Sequence, residues 1–274
     1  LIPMPDLLGQ NAIVAFLDRE TTKIEALINK QNKLIVTLVE DRTASISHAV
    51  TKGLNPDAQM KDSGVQWIGE FPRTWTAQRL SWLFNTISSG TTPSGDRPEY
   101  YGGDINWVTT GELRESVIVD TVKKVTRQAL IDHSPLVVYP TGALLIAMYG
   151  ATIGRLGILG APACTNQACC VFVGPTTVET KFAFYALSAG REHLILIASG
   201  GGQPNINQDK LRSLRIALPP MTEQRAIVDY LDAECIRIDA LVEKATDVIA
   251  ILREYRSALV TAAVTGKIDV REAV

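Results

Sequence analysis

The chain contains one segment twice. Residues 2–51 align without a gap onto residues 216–265. About twenty of the roughly fifty aligned positions are identical, which is far above chance for a single long-range register. Because two copies of one sequence are expected to fold alike, the repeat predicts two equivalent elements separated by a segment of a different kind.

Each copy is predicted to form one long helix. Neither copy has a proline after its start, and about forty residues at 1.5 Å per residue give a length of roughly 60 Å. Pro5 and Asp6 begin the first copy and residues 220–223 begin the second, whereas Gly53 and Gly266 follow the two ends. Proline, acidic and hydroxyl residues favour a helix start, and glycine favours a helix end.

Apolar residues recur along both copies at spacings of three and four. A stripe this narrow, sustained over several heptads, is typical of a coiled-coil seam. The residues expected to pair the helices are Ile13, Leu17, Ile24, Leu27, Leu34 and Leu38 in the first copy, and Ile227, Leu231, Ile238, Leu241, Val248 and Leu252 in the second. The copies could pair with each other, pair with helices of a second molecule, or form an ordinary hairpin packed on a globular domain. We favour an antiparallel coiled coil, because a long helix with a narrow stripe buries little by itself.

The middle of the chain has a different composition. Short apolar runs such as 143–148 and 170–173 alternate with clusters of glycine and proline, which indicates strands joined by turns. Short helices are predicted near 127–131, 179–188 and 208–213. The sequence therefore predicts an α+β domain with a mixed or curved sheet over residues 55–215, flanked by the long helices at 1–54 and 216–274.

Three polar loops punctuate these strands, at 88–103, 149–155 and 199–207. Each combines glycine with hydroxyl, amide, aromatic or arginine side chains, which are the types that donate to phosphates and read base edges in DNA. Turn chemistry alone could explain any one loop; with three such loops on one domain, a binding surface and plain turns both remain open. The candidate DNA contacts are Thr91, Thr92, Arg97, Tyr100, Tyr101, Tyr149, Arg155, Gln203, Asn205 and Asn207.

No catalytic or metal-binding motif emerges from the sequence. A phosphate-binding loop would need lysine followed by serine or threonine after its glycine, and an amino-methylating enzyme would be expected to carry an Asn- or Asp-Pro-Pro-aromatic loop; neither occurs. A nuclease site around Pro56 and Asp57 lacks a carboxylate at Gln59. The cysteines have no Cys-x-x-Cys spacing, so we expect buried thiols rather than a zinc site. We expect no catalytic residue, metal or cofactor in this chain.

Charge and compartment bear on the choice of partner. The formal net charge is −2, whereas duplex-binding proteins usually carry a basic excess. That objection weakens if partner subunits supply the basic surface. The sequence shows neither a signal peptide nor a run of roughly 20 apolar residues, so we expect a cytoplasmic protein.

Several of these segments resemble one family. The second helix start, residues 216–232, and its degenerate first copy are similar to those of the specificity subunits of type I restriction–modification systems. Residues 60–72 with Trp75 look like the family's entry into a target-recognition domain. Segments 89–93, 101–107 and 142–154 also look typical, so the resemblance covers essentially the whole chain.

The resemblance implies a function and a set of partners. The family carries two recognition domains separated by two long helices, and each domain reads one half of a split DNA site; this chain has one domain, which corresponds to a half-length form. It implies a non-catalytic DNA-recognition subunit that directs methyltransferase and restriction subunits, with S-adenosylmethionine and ATP bound by those partners. A homodimer through the long helices could rebuild a two-domain reader. The alternative is a coiled-coil scaffold whose middle domain binds protein rather than DNA.

Overall fold

The computed structural model describes residues 5–198 and 205–270. By its internal contacts the chain divides into a helical unit, residues 1–43 with 232–274, and a globular unit, residues 44–231. The helices are α1 (Leu7–Lys52), α2 (Leu80–Leu83), α3 (Arg127–Asp132), α4 (Thr180–Ala189), α5 (Arg191–Ile197), α6 (Gln208–Ser213) and α7 (Met221–Val264). The strands are β1 (Met60–Asp62), β2 (Glu70–Pro72), β3 (Thr76–Arg79), β4 (Phe84–Ser89), β5 (Tyr101–Val108), β6 (Ser116–Ile118), β7 (Lys124–Val125), β8 (Leu144–Ala147), β9 (Leu156–Leu159), β10 (Ala163–Thr165), β11 (Cys169–Pro175) and β12 (Arg215–Leu218). Within the described ranges, 3₁₀ turns lie at Pro98–Tyr100, Thr110–Glu112 and Gly150–Thr152.

The two copies of the repeat form α1 and α7, of 46 and 44 residues. The predicted start and end signals act as expected. The carboxylate of Asp6 accepts a 2.8 Å hydrogen bond from the backbone N–H of Gly9, which satisfies one of the donors left over at a helix start. Gly53 and Gly266 adopt φ values of +78° and +72°, in the left-handed region that glycine enters without strain.

Within the helical unit α1 and α7 pair antiparallel. Arg42 Nη1 lies 2.7 Å from Asp239 Oδ1, and Arg256 Nη2 lies 3.1 Å from Glu25 Oε1. Glu25 and Arg42 are 17 residues apart on α1, and so are Asp239 and Arg256 on α7, in the opposite order. Arg42 aligns with Arg256 in the repeat, and Glu25 aligns with Asp239. The two ion pairs are therefore equivalent contacts related by a local two-fold axis.

The buried seam keeps a heptad spacing on both helices. Cys235, Ile238, Ala245 and Ile249 are buried on α7, and Ile24 and Leu38 are buried on α1. The α7 residues are three, seven and four residues apart, and the α1 residues are fourteen apart, or two heptads, as in a coiled coil. The predicted α+β class, mixed sheet and antiparallel helix pair are confirmed by this architecture.

Four residues predicted for the seam lie outside it. Leu27, Leu34, Leu241 and Val248 are 46%, 45%, 37% and 40% exposed. Their neighbours Ile28, Ile35, Val242 and Ile249 are partly or fully buried in their place. Each helix carries adjacent apolar residues at these points, and a rotation of about 100° per residue decides which of the two faces the partner. The periodicity alone does not make that choice.

The globular unit is built on a mixed five-stranded sheet in the order β4-β11-β8-β9-β6. The β6–β9 pair is parallel and the other neighbours are antiparallel. β8 is buried along its whole length, as its sequence of leucine, isoleucine and alanine predicts for a central strand. A second sheet, β10-β5-β7, packs Trp107 and Val125 with Tyr100, Ala129 and other residues of a separate apolar cluster.

A two-stranded sheet closes the globular unit. β3 pairs antiparallel with β12, with Thr76 opposite Leu218, so the chain enters the domain beside the point where it leaves. Trp75 is fully buried just before β3, and its indole N–H donates to Glu223 Oε2 at 2.9 Å. A Cβ atom on Gly53 would lie 3.1 Å from the Trp75 ring and 3.2 Å from Glu223 Oε1. The positive φ of Gly53 and these close approaches favour glycine where α1 ends.

Gln224 fixes the start of α7 to the domain. Its side chain is fully buried, and its Nε2 donates to the carbonyl oxygens of Thr177 at 3.0 Å and Pro219 at 2.9 Å. Its Oε1 accepts from the backbone N–H of Glu179 at 2.8 Å. The repeat-equivalent Gln10 makes the same bond to the carbonyl of Pro5, at 2.9 Å, on an exposed surface. The glutamine of the helix-start motif is thus structural at the second copy.

Replacing Gln224 tests this junction. Gln224→Met would keep the volume and leave three backbone groups without the side chain that satisfies them, so we expect a loss of about 2–4 kcal/mol in the free energy of unfolding. Gln10→Met is the matched control and should change stability by less than about 0.5 kcal/mol. Chemical denaturation of both variants measures this; equal effects would contradict the structural role.

The position of the seam is tested by two neighbouring residues. Ile249→Ala would remove a side chain buried between the helices, and we expect a loss of about 2 kcal/mol. Val248→Ala, at an exposed site, should cost less than about 1 kcal/mol. Thermal melting followed by circular dichroism at the helical band compares them, and a larger effect at Val248 would place the seam where the sequence pattern alone suggested.

Candidate DNA-recognition surface

The first polar loop is held against the end of β10 and the connection that follows it. The backbone N–H of Thr91 donates to the carbonyl of Thr165 at 2.9 Å, and the Thr92 hydroxyl donates to the side-chain oxygen of Gln167. A Cβ atom on Gly90 would lie 1.9 Å from that same carbonyl oxygen of Thr165. Glycine is therefore required here, because the two backbones approach more closely than any side chain allows.

The second and third loops also lie close to this segment. Tyr149 pairs with Asn205 in an isolated antiparallel bridge, and the backbone N–H of Ile206 donates to the carbonyl of Met148 at 2.9 Å. The N–H of Met148 in turn donates to the carbonyl of Ala168 at 2.8 Å. The structure thus brings parts of all three predicted loops together around residues 165–168.

Several of the candidate side chains on this surface are accessible. Thr92, Asn205 and Asn207 are exposed, Tyr149 is 37% exposed and Arg155 is partly exposed. Asn207 also caps α6, because its Oδ1 accepts from the N–H of Lys210 at 2.9 Å. Gln203 lies outside the residues that the structure describes.

The aromatic residues near the end of the first loop make contacts within the domain. Tyr100 is buried, and its hydroxyl donates to Asp132 Oδ2 at 3.2 Å. Burial, followed by that hydrogen bond, raises the pKa of the Tyr100 phenol. Tyr101 donates to the carbonyl of Pro93 at 2.7 Å, and exposed Arg97 lies over the Tyr100 ring. Because Tyr100 is buried in the core, it is not one of the accessible residues of this surface.

The sequence pattern did not identify residues 165–168, the segment that lies beneath the loops. Gln167 is exposed beside Thr92, and His133 Nε2 lies 3.4 Å from the hydroxyl of Thr91. The amide oxygen of Asn166 is buried and, within the described ranges, has no hydrogen-bond partner. The available signal in the sequence was the amide pair Asn166-Gln167 in a short connection between two strands, but the cysteines on either side of it indicate packing.

The net charge of −2 argued against DNA binding, and the distribution of charge between the two units weakens that argument. The globular unit carries 16 lysine and arginine residues against 15 aspartate and glutamate residues, and the helical unit carries 11 against 14. The acidic excess therefore belongs to the helices. The domain that bears the loops is close to neutral, so it does not repel a phosphate backbone as a whole.

The cysteine thiols are packed inside the protein. All four cysteines are free and buried, and burial raises the pKa of Cys164 to about 11 and that of Cys170 to about 12. These thiols stay protonated at neutral pH and suit an apolar core. Residues 5–198 and 205–270 contain no cluster of histidine, cysteine and acidic residues that could hold a metal ion. In the same ranges, no helix is long and apolar enough to span a membrane.

The close approach at Gly90 provides a test of the loop arrangement. Gly90→Ala would push the first loop away from Thr165, and we expect a loss of about 1–3 kcal/mol in stability, as for other overpacked sites. Hydrogen exchange at 90–93 and 165–168 should quicken. Gly95→Ala in the same loop meets no atom within 4 Å and serves as the control. Unchanged exchange in Gly90→Ala would show that the two segments do not pack as described.

The chain is similar in sequence to known proteins. The chain is 26% identical to the putative type I restriction enzyme MjaX specificity subunit of Methanocaldococcus jannaschii, over 98% of this chain and 60% of that protein. It is 23% identical to the EcoR124I/EcoR124II specificity subunit of Escherichia coli, over 90% of this chain and 57% of that protein. The chain therefore spans about three fifths of the length of these relatives.

Solved structures show the same architecture. The HsdS subunit from Thermoanaerobacter tengcongensis matches 97% of this chain with a TM-score of 0.59 and 20% identity, over 60% of its own length. A chain from a structure of type I R-M system assembly and conformational transition matches 97% with a TM-score of 0.78 and 20% identity, over 62% of its length. The type I restriction modification DNA specificity domain family matches residues 72–248, which is more than half of the chain. The protein belongs to the type I restriction–modification DNA specificity family.

Proposed function

We propose that this chain is a non-catalytic subunit that reads one half of a split DNA target and directs type I methyltransferase and restriction subunits to it. The observation that carries this proposal is the meeting of parts of three polar loops around residues 165–168. They converge within the part of the chain that the specificity family matches. Hydroxyl and amide side chains held on a rigid support are suited to reading base edges.

The proposed contacts differ in kind. Thr92, Gln167 and Asn205 carry amide or hydroxyl groups and are exposed, so they are the candidates for base readout in the major groove. Arg155 and Asn207 are candidates for phosphate contacts, which set position rather than sequence. Tyr149 supplies a flat, partly exposed ring beside Asn205. Gln203 remains a candidate from its sequence position.

The rest of the chain would organise the assembly. Residues 55–215 would form the recognition domain, with the helices at 1–54 and 216–274 as the docking and spacing element. Methyl transfer and cleavage would take place in the partner subunits, which would bind S-adenosylmethionine and ATP. A second recognition domain, from another copy of this chain or from another chain, would read the other half of the site. Such an assembly would act on DNA in the cytoplasm.

Alanine substitution on the surface tests the readout. A complex reconstituted with methyltransferase subunits would modify genomic DNA, and sequencing would map the methylated sites. We expect Gln167→Ala and Asn205→Ala each to relax the preference at one base position, by about 1–3 kcal/mol of discrimination. Thr86→Ala, at an exposed position on β4 outside the loops, is the control and should leave the site unchanged.

Two results would count against the proposal in different ways. If no variant of the exposed loop residues alters the methylated site, the loops are not the reading surface. If the complex shows no sequence preference at all, and the chain instead retains protein partners through its middle domain, it acts as a scaffold.

A further inference from the structure

Two arginines lie opposite each other on one face of the sheet that closes the globular unit. The register of β3 with β12 pairs Arg79 with Arg215. The N–H of Leu80 donates to the carbonyl of Leu214 at 2.9 Å, so the arginines form a non-hydrogen-bonded pair, in which the Cα atoms are about 4.5 Å apart and the side chains lie closest. Both are exposed, whereas Ile216, on the other face, is fully buried. The fold therefore holds two guanidinium groups side by side in solvent. We call them the arginine pair.

The arginine pair has no counter-ion among the described residues. Within residues 5–198 and 205–270, neither Arg79 nor Arg215 takes part in an ion pair. Like charges directly opposite each other on neighbouring strands are destabilising, because their Cβ atoms are only about 5 Å apart. The strand register thus imposes a repulsion that an external anion would relieve.

An exposed tryptophan extends this surface. Trp82 on α2 is 63% exposed, and Arg79 Cζ lies 5.8 Å from the centre of its ring. A cation–π contact attracts the guanidinium group to the ring face and leaves its charge in place. The carbonyl of Trp82 accepts a 3.1 Å hydrogen bond from the hydroxyl of Thr176, which anchors α2 beneath the ring. The arginine pair is therefore partly ordered before any ligand binds.

A cleft beside Arg215 adds positive charge. Its volume is about 390 Å³, and its described lining contains Lys210 and Arg215 but no acidic residue. Lys210 Nζ donates to the carbonyl of Ile197 at 2.6 Å, which holds the ammonium group at the wall. Trp67 also lines the cleft and stacks on His193, and its buried indole N–H has no hydrogen-bond partner in the described ranges. A cleft lined by one sign of charge concentrates ions of the opposite sign.

The arginine pair is close in the chain to the surface formed around residues 165–168. Asn207, at that surface, caps α6, and Arg215 follows the end of α6 by two residues. Six helical residues at about 1.5 Å and two extended residues at about 3.3 Å place Arg215 within roughly 16 Å of Asn207. Phosphates recur about every 3.4 Å along each strand of duplex DNA, so this distance corresponds to about five base pairs.

We propose that the arginine pair, with Trp82 and the adjacent cleft, binds phosphates of the DNA backbone beside the target half-site, as a contact that does not depend on base sequence. Arginine matches phosphate geometry through two parallel hydrogen bonds, and two adjacent guanidinium groups can bind one phosphate or two successive ones. The Trp82 ring would pack against the neighbouring deoxyribose. The inference rests on the proposed function, because it adds to the reading loops a second contact that sets position and affinity.

Salt-dependent binding tests this contact. The chain, reconstituted with methyltransferase subunits, would be titrated with its target duplex and with an unrelated duplex over a range of salt concentrations. Arg79→Gln combined with Arg215→Gln should weaken binding of both duplexes by the same factor, about tenfold at low salt, and should reduce the slope of log K against log salt by about 1 to 2. Arg73→Gln combined with Arg253→Gln removes the same charge at exposed sites elsewhere and should change binding less than about twofold.

Two further variants separate binding from a structural role. The glutamine double variant should melt at or above the temperature of the wild type, because it removes the cross-strand repulsion. Arg79→Lys combined with Arg215→Lys keeps the charge and should bind both duplexes within about threefold of the wild type, since lysine contacts phosphate as a point charge. The methylated sites should be the same in every variant.

The outcomes distinguish this contact from the proposed function. If the wild-type complex methylates a defined site but the glutamine double variant keeps its affinity and salt slope, the inference is overturned and the reading loops stand. If the wild-type complex shows no sequence preference and the variant still loses affinity for both duplexes, the proposed function fails and the phosphate contact stands. If sedimentation shows that the variant no longer assembles with methyltransferase subunits, the arginines bind protein, which also overturns the inference.

Discussion

The antiparallel pairing of two copies of one helix is the constraint from which the helical unit follows. Each copy is a long helix with an apolar stripe too narrow to be stable alone in water. Pairing the copies antiparallel buries apolar residues of both helices and lets aligned residues make equivalent contacts, as in the ion pairs Arg42–Asp239 and Arg256–Glu25. Exposed ion pairs of this kind contribute little stability, but they fix the register and assign each flank of the seam its residues.

A different constraint governs the globular unit. Gln224 and the Trp75–Glu223 contact tie the beginning of α7 to the domain, and Gly53 ends α1 against the same tryptophan. Two residues of the second helix-start motif therefore bond to the domain: Glu223 accepts from the Trp75 indole, and Gln224 satisfies backbone groups. The exposed Gln10 shows the same local bond without the domain around it. The helix-start motif stabilises the architecture, whereas the loops are proposed to determine DNA specificity.

The sequence was sufficient for features that have a regular pattern or a local chemical signal. The repeat, the helix ends at Asp6 and Gly53, and the buried strand β8 could all be predicted in this way. It was insufficient where two solutions were one residue apart, as with Val248 and Ile249, or where a side chain's role depended on distant contacts. Tyr100 lies in a polar loop that predicted a surface contact, but it is buried and bonded to Asp132. Gln167 becomes part of the surface only because β10 and β11 carry it beneath Thr92.

Exchange of the recognition domain is the most direct test of the central claim that this chain supplies DNA specificity. Residues 55–215 would be replaced by the corresponding domain of a relative with a different target, leaving both helices unchanged, and methylated sites would be mapped after reconstitution with the same methyltransferase subunits. The account predicts that one half of the modified site changes to that of the donor and that activity is retained. An active hybrid that still methylates the original site would contradict it.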